Sequence, residues 1–172
     1  MRLLFFFLLI SCAVYGQSFP KEWEGKYAGV MDLYNGEAHR TVAVTFEMNP
    51  LVKDTTWSYV MVYSENGKET IRKDYVLRRK GTGWVFELDE KDGIIIESRL
   101  MGETFYDYFE SFGMYFASRM TKVKGGIEFE LFGGTKSDVR ITSAGAGTDD
   151  YTEVYSYPPS FAQRVVLKKL KK

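Results

Sequence analysis

Three arginines lie where their side chains could bind a ligand. Arg99, Arg119 and Arg164 each interrupt an apolar stretch that has the pattern of a strand. An arginine that points inward among tyrosines can hold a carboxylate, because its planar guanidinium donates two parallel hydrogen bonds to the two oxygens. The tyrosines that lie near these arginines in the sequence are Tyr106, Tyr108 and Tyr115.

We predict that Arg99 and Arg119, together with these three tyrosines, bind a ligand. The alternative is that the arginines face water beside Glu97 or Glu110 across a hairpin. By alternation along the strand, Arg99 shares a face with Glu97, and Arg119 shares a face with Tyr115. This pattern leaves open which of the two faces points inward.

Residues that usually carry catalysis or bind metals are scarce. His39 is the only histidine, and its neighbours place it in a hairpin loop. A metal site usually needs several histidine, cysteine or carboxylate ligands together. The pair Glu128 and Glu130 lies on the polar face of its strand, where water is the expected neighbour. We predict no catalytic residue, metal site, cofactor or enzymatic activity; an enzyme using interior tyrosine and carboxylate groups is the weaker alternative.

The elements that would position these side chains are short strands. Apolar and polar residues alternate in stretches such as Val42–Met48, and Asn-Gly and Asp-Gly turns follow at intervals of about one strand. The pattern predicts an all-β, antiparallel up-and-down meander of about ten strands, closed into a barrel because an open sheet leaves two unprotected edges. The predicted strands cover residues 25–34, 41–49, 56–64, 69–79, 84–89, 93–100, 103–110, 113–122, 126–132, 152–157 and 162–170.

Two segments have less regular patterns. The small, glycine-rich stretch 142–150 indicates a mobile loop. Residues 160–172 fit either a helix with a capping box or a closing strand, and the β-branched pair Val165 and Val166 favours the strand.

The first residues have the layout of a secretory signal. Arg2 precedes an unbroken apolar run, and Gly16 offers a small residue for cleavage. The run is too short to cross a bilayer, which needs about 20 apolar residues. We predict a signal peptide over 1–16 and export of a single domain, 17–172, to the periplasm or the medium. The alternative is lipidation of Cys12, which would anchor the protein in the outer membrane.

Charge and cysteine content exclude several classes of partner. The chain has 23 basic and 23 acidic residues, so no excess of one sign attracts nucleic acid. The lysines of the C-terminal segment are expected to form a solvated tail. After cleavage no cysteine remains, so stability must come from burial, for which 13 Phe, 12 Tyr and 3 Trp are available. We predict no nucleic-acid partner and no transmembrane span after processing.

The segment Phe19–Gly29 resembles the opening strand of calycin-type barrels, which include lipocalins and fatty-acid-binding proteins. In these families a tryptophan lies near a glycine on the first strand, as Trp23 lies near Gly25 here. The resemblance implies that Arg164, on a late strand, packs over Trp23 and closes the barrel. The whole chain looks most like small secreted barrels of Bacteroidota-type bacteria, a resemblance that implies a fold and no activity. A barrel of this strand number can enclose one small ligand, as lipocalins do, so we predict a small apolar or amphipathic ligand in the interior. The alternative is a non-enzymatic structural or interaction protein of the envelope with a filled core.

Overall fold

The structure is a computed structural model, which describes residues 19–81 and 83–171. Almost all of its regular structure is β-strand, with one short 3₁₀ helix at Lys136–Asp138. The strands are β1 (Gly25–Asn35), β2 (Ala38–Met48), β3 (Pro50–Val52), β4 (Thr56–Glu65), β5 (Lys68–Arg79), β6 (Val85–Asp89), β7 (Ile95–Met101), β8 (Thr104–Ser111), β9 (Met114–Val123), β10 (Gly126–Thr135), β11 (Arg140–Ala144), β12 (Thr152–Ser156) and β13 (Phe161–Lys169).

Ten of these strands close into an antiparallel barrel. From β4 to β10 each strand pairs with the next along the chain, β2 pairs with both β1 and β4, and β13 lies between β10 and β1. Closure removes the two edges that an open sheet would expose. The predicted all-β meander barrel is therefore confirmed, and β13 shows that the C-terminal segment is a closing strand.

The core follows directly from alternation along each strand. In β2, the side chains of Val42, Val44, Phe46 and Met48 are all buried, while the residues between them face outward. One apolar face and one polar face is the pattern of a sheet with water on one side. Here the apolar face lines the interior.

One end of the barrel is closed by an aromatic cluster. Phe19 and Trp23, in the turn before β1, are buried, and the Phe19 ring meets the rings of Trp57, Phe86 and Phe105 edge-on at centroid distances of 4.8–5.2 Å. Edge-to-face contacts of this kind stabilise a cluster beyond the burial of its area. The segment before the first strand is thus the floor of the barrel.

The opposite end, where the β1–β2 and β8–β9 hairpins turn, is less filled. Inward-facing side chains there, including Leu33, Ile96, Phe116 and Phe161, are only partly buried against the core. The sheet is also shorter on one side of the barrel, at strands β6 and β7. There residues 68–75 of β5 pair only with β4, and residues 108–111 of β8 pair only with β9. The interior therefore opens at this end and toward the short β6–β7 hairpin.

The segment 142–150 differs from the predicted loop. Thr142–Ala144 belongs to β11, which pairs with β12 in a separate two-stranded sheet. This hairpin lies along the chain after β10 and before β13. Pairing with Thr152–Ser156 supplies hydrogen bonds that the composition of the segment did not indicate. Only the turn between these strands remains without regular pairing.

Several predictions fall outside the described residues. The signal peptide, its cleavage after Gly16 and the lipidation of Cys12 all concern residues 1–18, so they stay predictions. Within 19–81 and 83–171, no helix is long and apolar enough to cross a membrane.

Candidate ligand-binding site

The predicted ligand-binding side chains lie together, on the outer face of the barrel. The register places Arg99, Tyr106 and Arg119 in one row across β7, β8 and β9. The neighbouring residues Ser98 and Phe105 are buried in the interior, so the row itself faces outward. The inward position considered for these arginines is therefore wrong, whereas their binding of a ligand stays a prediction.

Both arginines form ion pairs with glutamates. Arg119 donates to Glu130 Oε2 from Nε and to Glu128 Oε1 from a terminal nitrogen, each at 2.7 Å. Arg99 donates to Glu97 Oε1 at 2.6 Å. For Arg99, this matches the alternative in which the arginine faces water beside Glu97. Partly exposed pairs of this kind contribute little stability, about 0–1 kcal/mol.

An open recess of about 530 Å³ lies over this row. Its apolar lining includes Met101, Tyr106, Tyr108 and Phe132. The Tyr108 ring stacks nearly parallel on the ring of Tyr115, with centroids 6.0 Å apart. The structure thus brings together the predicted arginines and tyrosines around one outer recess.

The predicted closing pair of Trp23 and Arg164 is not formed. Because Val165 points inward from β13, its neighbour Arg164 points outward, where it lies 3.6 Å from Glu128. The cation that packs on the floor is Arg79 of β5. Its guanidinium carbon lies 5.6 Å from the Trp57 ring centroid and 5.4 Å from that of Phe86.

Inside the barrel, a polar layer lies at the level of Asp107. The register aligns Ser98, Asp107 and Ser118 on adjacent strands. The Ser118 hydroxyl donates to Asp107 Oδ2 at 2.6 Å, but Oδ1 is buried without a partner among the described residues. Burial raises the pKa of the Asp107 carboxyl, and the nearby hydroxyls of Ser118 and Ser98 oppose that shift.

Tyrosines face this layer from the opposite wall. Tyr59 of β4 stacks with Tyr75 of β5 at a centroid distance of 6.3 Å. Burial raises the pKa of Tyr59 well above its ordinary value, and the nearby charge of Asp107 raises it further. Tyr59 and Asp107 also line the same small void in the interior.

A lysine and a glutamine complete the polar interior. Lys73 points inward from β5, opposite Met61, and forms no ion pair among the residues of 19–81 and 83–171. Burial lowers the pKa of Lys73, while the charge of Glu90 opposes that effect. On β13, Gln163 Oε1 is buried and also lacks a partner in the described chain. The open half of the barrel therefore combines aromatic surface with polar groups that can bind a ligand.

A small void separates the polar layer from the floor. Its volume is about 20 Å³, and it is lined by Trp23, Tyr59, Ser98 and Asp107 together with apolar side chains. A space of this size holds about one water-sized group. The indole Nε1 of Trp23 is buried without a partner among the described residues, as Asp107 Oδ1 is.

The described residues contain no cluster of three or more side chains suited to a metal ion. His39 lies on the outer face, where its ring stacks on Tyr34 and its Nε2 lies 2.8 Å from Asp32 Oδ1. The single histidine is therefore held at the surface.

Sequence reasoning missed Asp107 and Lys73. Both occupy inward positions in their strands, as Asp107 does between the buried Phe105 and the partly buried Phe109 on β8. A charged residue at an inward position is the signal that could have found them. Only the register distinguishes this face of the strand from the arginine face.

Comparison with protein-family models finds no match, and comparison with curated proteins finds none either. Several solved structures resemble this barrel, and two of them illustrate the similarity. One is a DUF3598-family protein of unknown function from Nostoc punctiforme, with a TM-score of 0.60 and 7% identity over 87% of this chain and 48% of that chain. The chain thus spans about half the length of that protein. The other is the S-type phycobiliprotein lyase CPES from Guillardia theta, with a TM-score of 0.60 and 11% identity over 88% of this chain and 90% of that chain.

Identities this low show the fold alone. The two neighbours confirm the lipocalin-like barrel fold that the resemblance of Phe19–Gly29 implied. Neither of them bears on the expected similarity to Bacteroidota proteins, which stays a prediction.

Proposed function

We propose that the chain is an exported protein that binds a small apolar or amphipathic ligand inside its barrel, without catalysing a reaction. The observation that carries this proposal is the unequal filling of the interior. Floor residues such as Trp57 and Phe86 are fully buried, whereas Phe116 and Phe161 near the opposite end are not. Partly exposed aromatic surface inside a barrel is what an apolar ligand would cover.

The polar interior supports an amphipathic ligand. Lys73 and Gln163 face the open half. The charge of Glu90 compensates Lys73 only in part, and Gln163 Oε1 is buried without a hydrogen-bond partner among the described residues. The resemblance of the barrel to a phycobiliprotein lyase also supports ligand binding in a barrel of this kind. Export rests on the sequence of residues 1–16, with anchoring through Cys12 as the alternative route.

A second candidate function uses the outer face. The recess lined by Tyr106, Tyr108 and Arg119 exposes aromatic surface beside charge. This favours the alternative of an interaction protein whose working surface is external.

Titration with the neutral fluorophore Nile red distinguishes the two. Ile71→Trp enlarges an inward-facing side chain at the open end that is 54% exposed, so the larger ring fits and blocks the entrance. Val30→Trp, on the outer face of β1, is the matched control. We expect saturable binding that weakens at least about fivefold in Ile71→Trp and is unchanged in Val30→Trp, an effect of about 1 kcal/mol.

Tyr108→Ala tests the outer recess in the same titration. Loss of binding in this variant, with Ile71→Trp unaffected, would favour the outer-face function. Absence of saturable binding in the unmodified protein would contradict an interior ligand site.

A further inference from the structure

The void beneath the polar layer has an unusual set of neighbours. Asp107, Ser98 and Tyr59 line it on the side of the open half, and Trp23 lines it on the side of the floor. At about 20 Å³ it is too small for a ring or a carboxylate and large enough for one terminal heavy atom.

Two buried polar atoms of the residues around this void lack partners. One is the acceptor Asp107 Oδ1, whose sister oxygen already accepts from Ser118 at 2.6 Å. The other is the donor Trp23 Nε1. A buried donor or acceptor that stays unpaired is unfavourable, so a group that satisfies both would bind here.

We propose that this void receives the terminal hydroxyl of an amphipathic ligand whose apolar chain lies in the open half of the barrel. A hydroxyl donates to Asp107 Oδ1 and can accept from the Trp23 indole. An ammonium satisfies only the carboxylate, and a carboxylate offers no proton and is repelled by Asp107. The inference rests on the proposed ligand binding and adds the chemical class of the ligand.

The other charged side chains of the interior do not change this preference for a hydroxyl over an ammonium or a carboxylate. Lys73 faces the open half from β5, and the charge of Glu90 in the β6–β7 turn partly compensates it. Arg40, near the rim on β2, is paired with Glu65 at 2.6 Å. Arg79 packs on the floor against the rings of Trp57 and Phe86 and does not line the void. Among the described residues, Asp107 is the one charged side chain that lines the void, so it is the charge that selects the ligand.

The test is displacement of Nile red by three compounds with the same ten-carbon chain: 1-decanol, decylamine and decanoate. In the unmodified protein we expect decanol to displace the dye at concentrations at least about tenfold below those of decanoate, with decylamine between them. A factor of ten is what one hydrogen bond to a charged group supplies.

Asp107→Leu removes the acceptor while keeping an apolar side chain of similar size. We expect the preference for decanol to disappear in this variant. Glu110→Leu is the matched control, since Glu110 lies on the outer face of the same strand and pairs with Lys136 at 2.7 Å. It should keep the full preference. Circular dichroism confirms that both variants are folded.

The outcomes separate the two proposals. Equal or better displacement by decanoate in the unmodified protein, or a preference for decanol that survives Asp107→Leu, overturns the inference while leaving interior binding intact. Failure of Nile red itself to bind would contradict the proposed function and the inference with it. The first comparison needs no variant, so misfolding of Asp107→Leu cannot obscure the result.

Discussion

The floor of the barrel makes a quantitative prediction about stability. Trp23 is 0% exposed, although it lies before the first strand and takes part in no sheet pairing. Its ring contacts Phe19 and Phe105 edge-on, with centroids 6.0 and 5.3 Å apart. If this turn is an integral part of the core, truncation of Trp23 should be as costly as truncation within a strand.

We expect Trp23→Ala to lower the free energy of unfolding by about 3–5 kcal/mol, the usual cost of removing a fully buried large aromatic side chain. Single domains have a total of about 5–15 kcal/mol. At about 2–4 °C per kcal/mol for a chain of this size, the melting temperature should fall by about 6–20 °C. Urea unfolding followed by circular dichroism measures the free energy directly.

The matched control is Trp84→Ala. Trp84 is 48% exposed, and its ring lies 5.4 Å from the guanidinium of Arg99. Its truncation should cost only about 1 kcal/mol, since little buried area is lost. Trp23→Phe, which retains an aromatic ring at the floor, should cost less than about 2 kcal/mol. Equal losses for the two alanine variants would refute the assignment of residues 19–23 to the core.

Two further predictions concern the interior and the wall. Because burial raises the pKa of Asp107 above its ordinary value of 3.8, the folded protein binds this proton more tightly than the unfolded chain does. The free energy of unfolding of the unmodified protein, measured relative to that of Asp107→Asn, should therefore fall as the pH rises from about 4 through the raised pKa. Urea unfolding of both proteins across this pH range measures it. A difference in unfolding free energy that stayed constant with pH would contradict the prediction. Gly133→Ala should destabilise the barrel by about 1–3 kcal/mol, because a Cβ there meets the carbonyl oxygen of Tyr115 and the ring of Phe161. Thermal melts beside Gly83→Ala, where the Cβ meets open space, provide the control, and equal melting temperatures would count against this close approach.

The strands could be predicted because their signals are local. Alternation in β2 and the Asn-Gly and Asp-Gly turns depend on neighbouring residues only, so most strand bounds agree with the sequence-based ranges within a few residues. The pairing of β11 with β12 was missed because Thr142–Ala144 is polar and small, and its strand conformation depends on a partner about ten residues away.

The candidate site was less predictable, for a specific reason. Along β8, Tyr106 and Asp107 are adjacent, and either parity would place aromatic residues in the interior. If the inner and outer faces of the strand were reversed, the arginine row would lie inside the barrel and the polar layer of Asp107 would lie outside. A single strand holds no information on this choice when both of its faces contain large apolar side chains.

The sequence alone determined that this chain forms an antiparallel meander, because period-two alternation and turn glycines are properties of neighbouring residues. The tertiary structure decided that Asp107 faces the interior while Arg119 faces out, and that Arg79, not Arg164, packs on the floor. The direction in which each side chain points depends on all ten strands of the barrel together. The closed barrel adopts the arrangement of inner and outer faces that buries the larger apolar area.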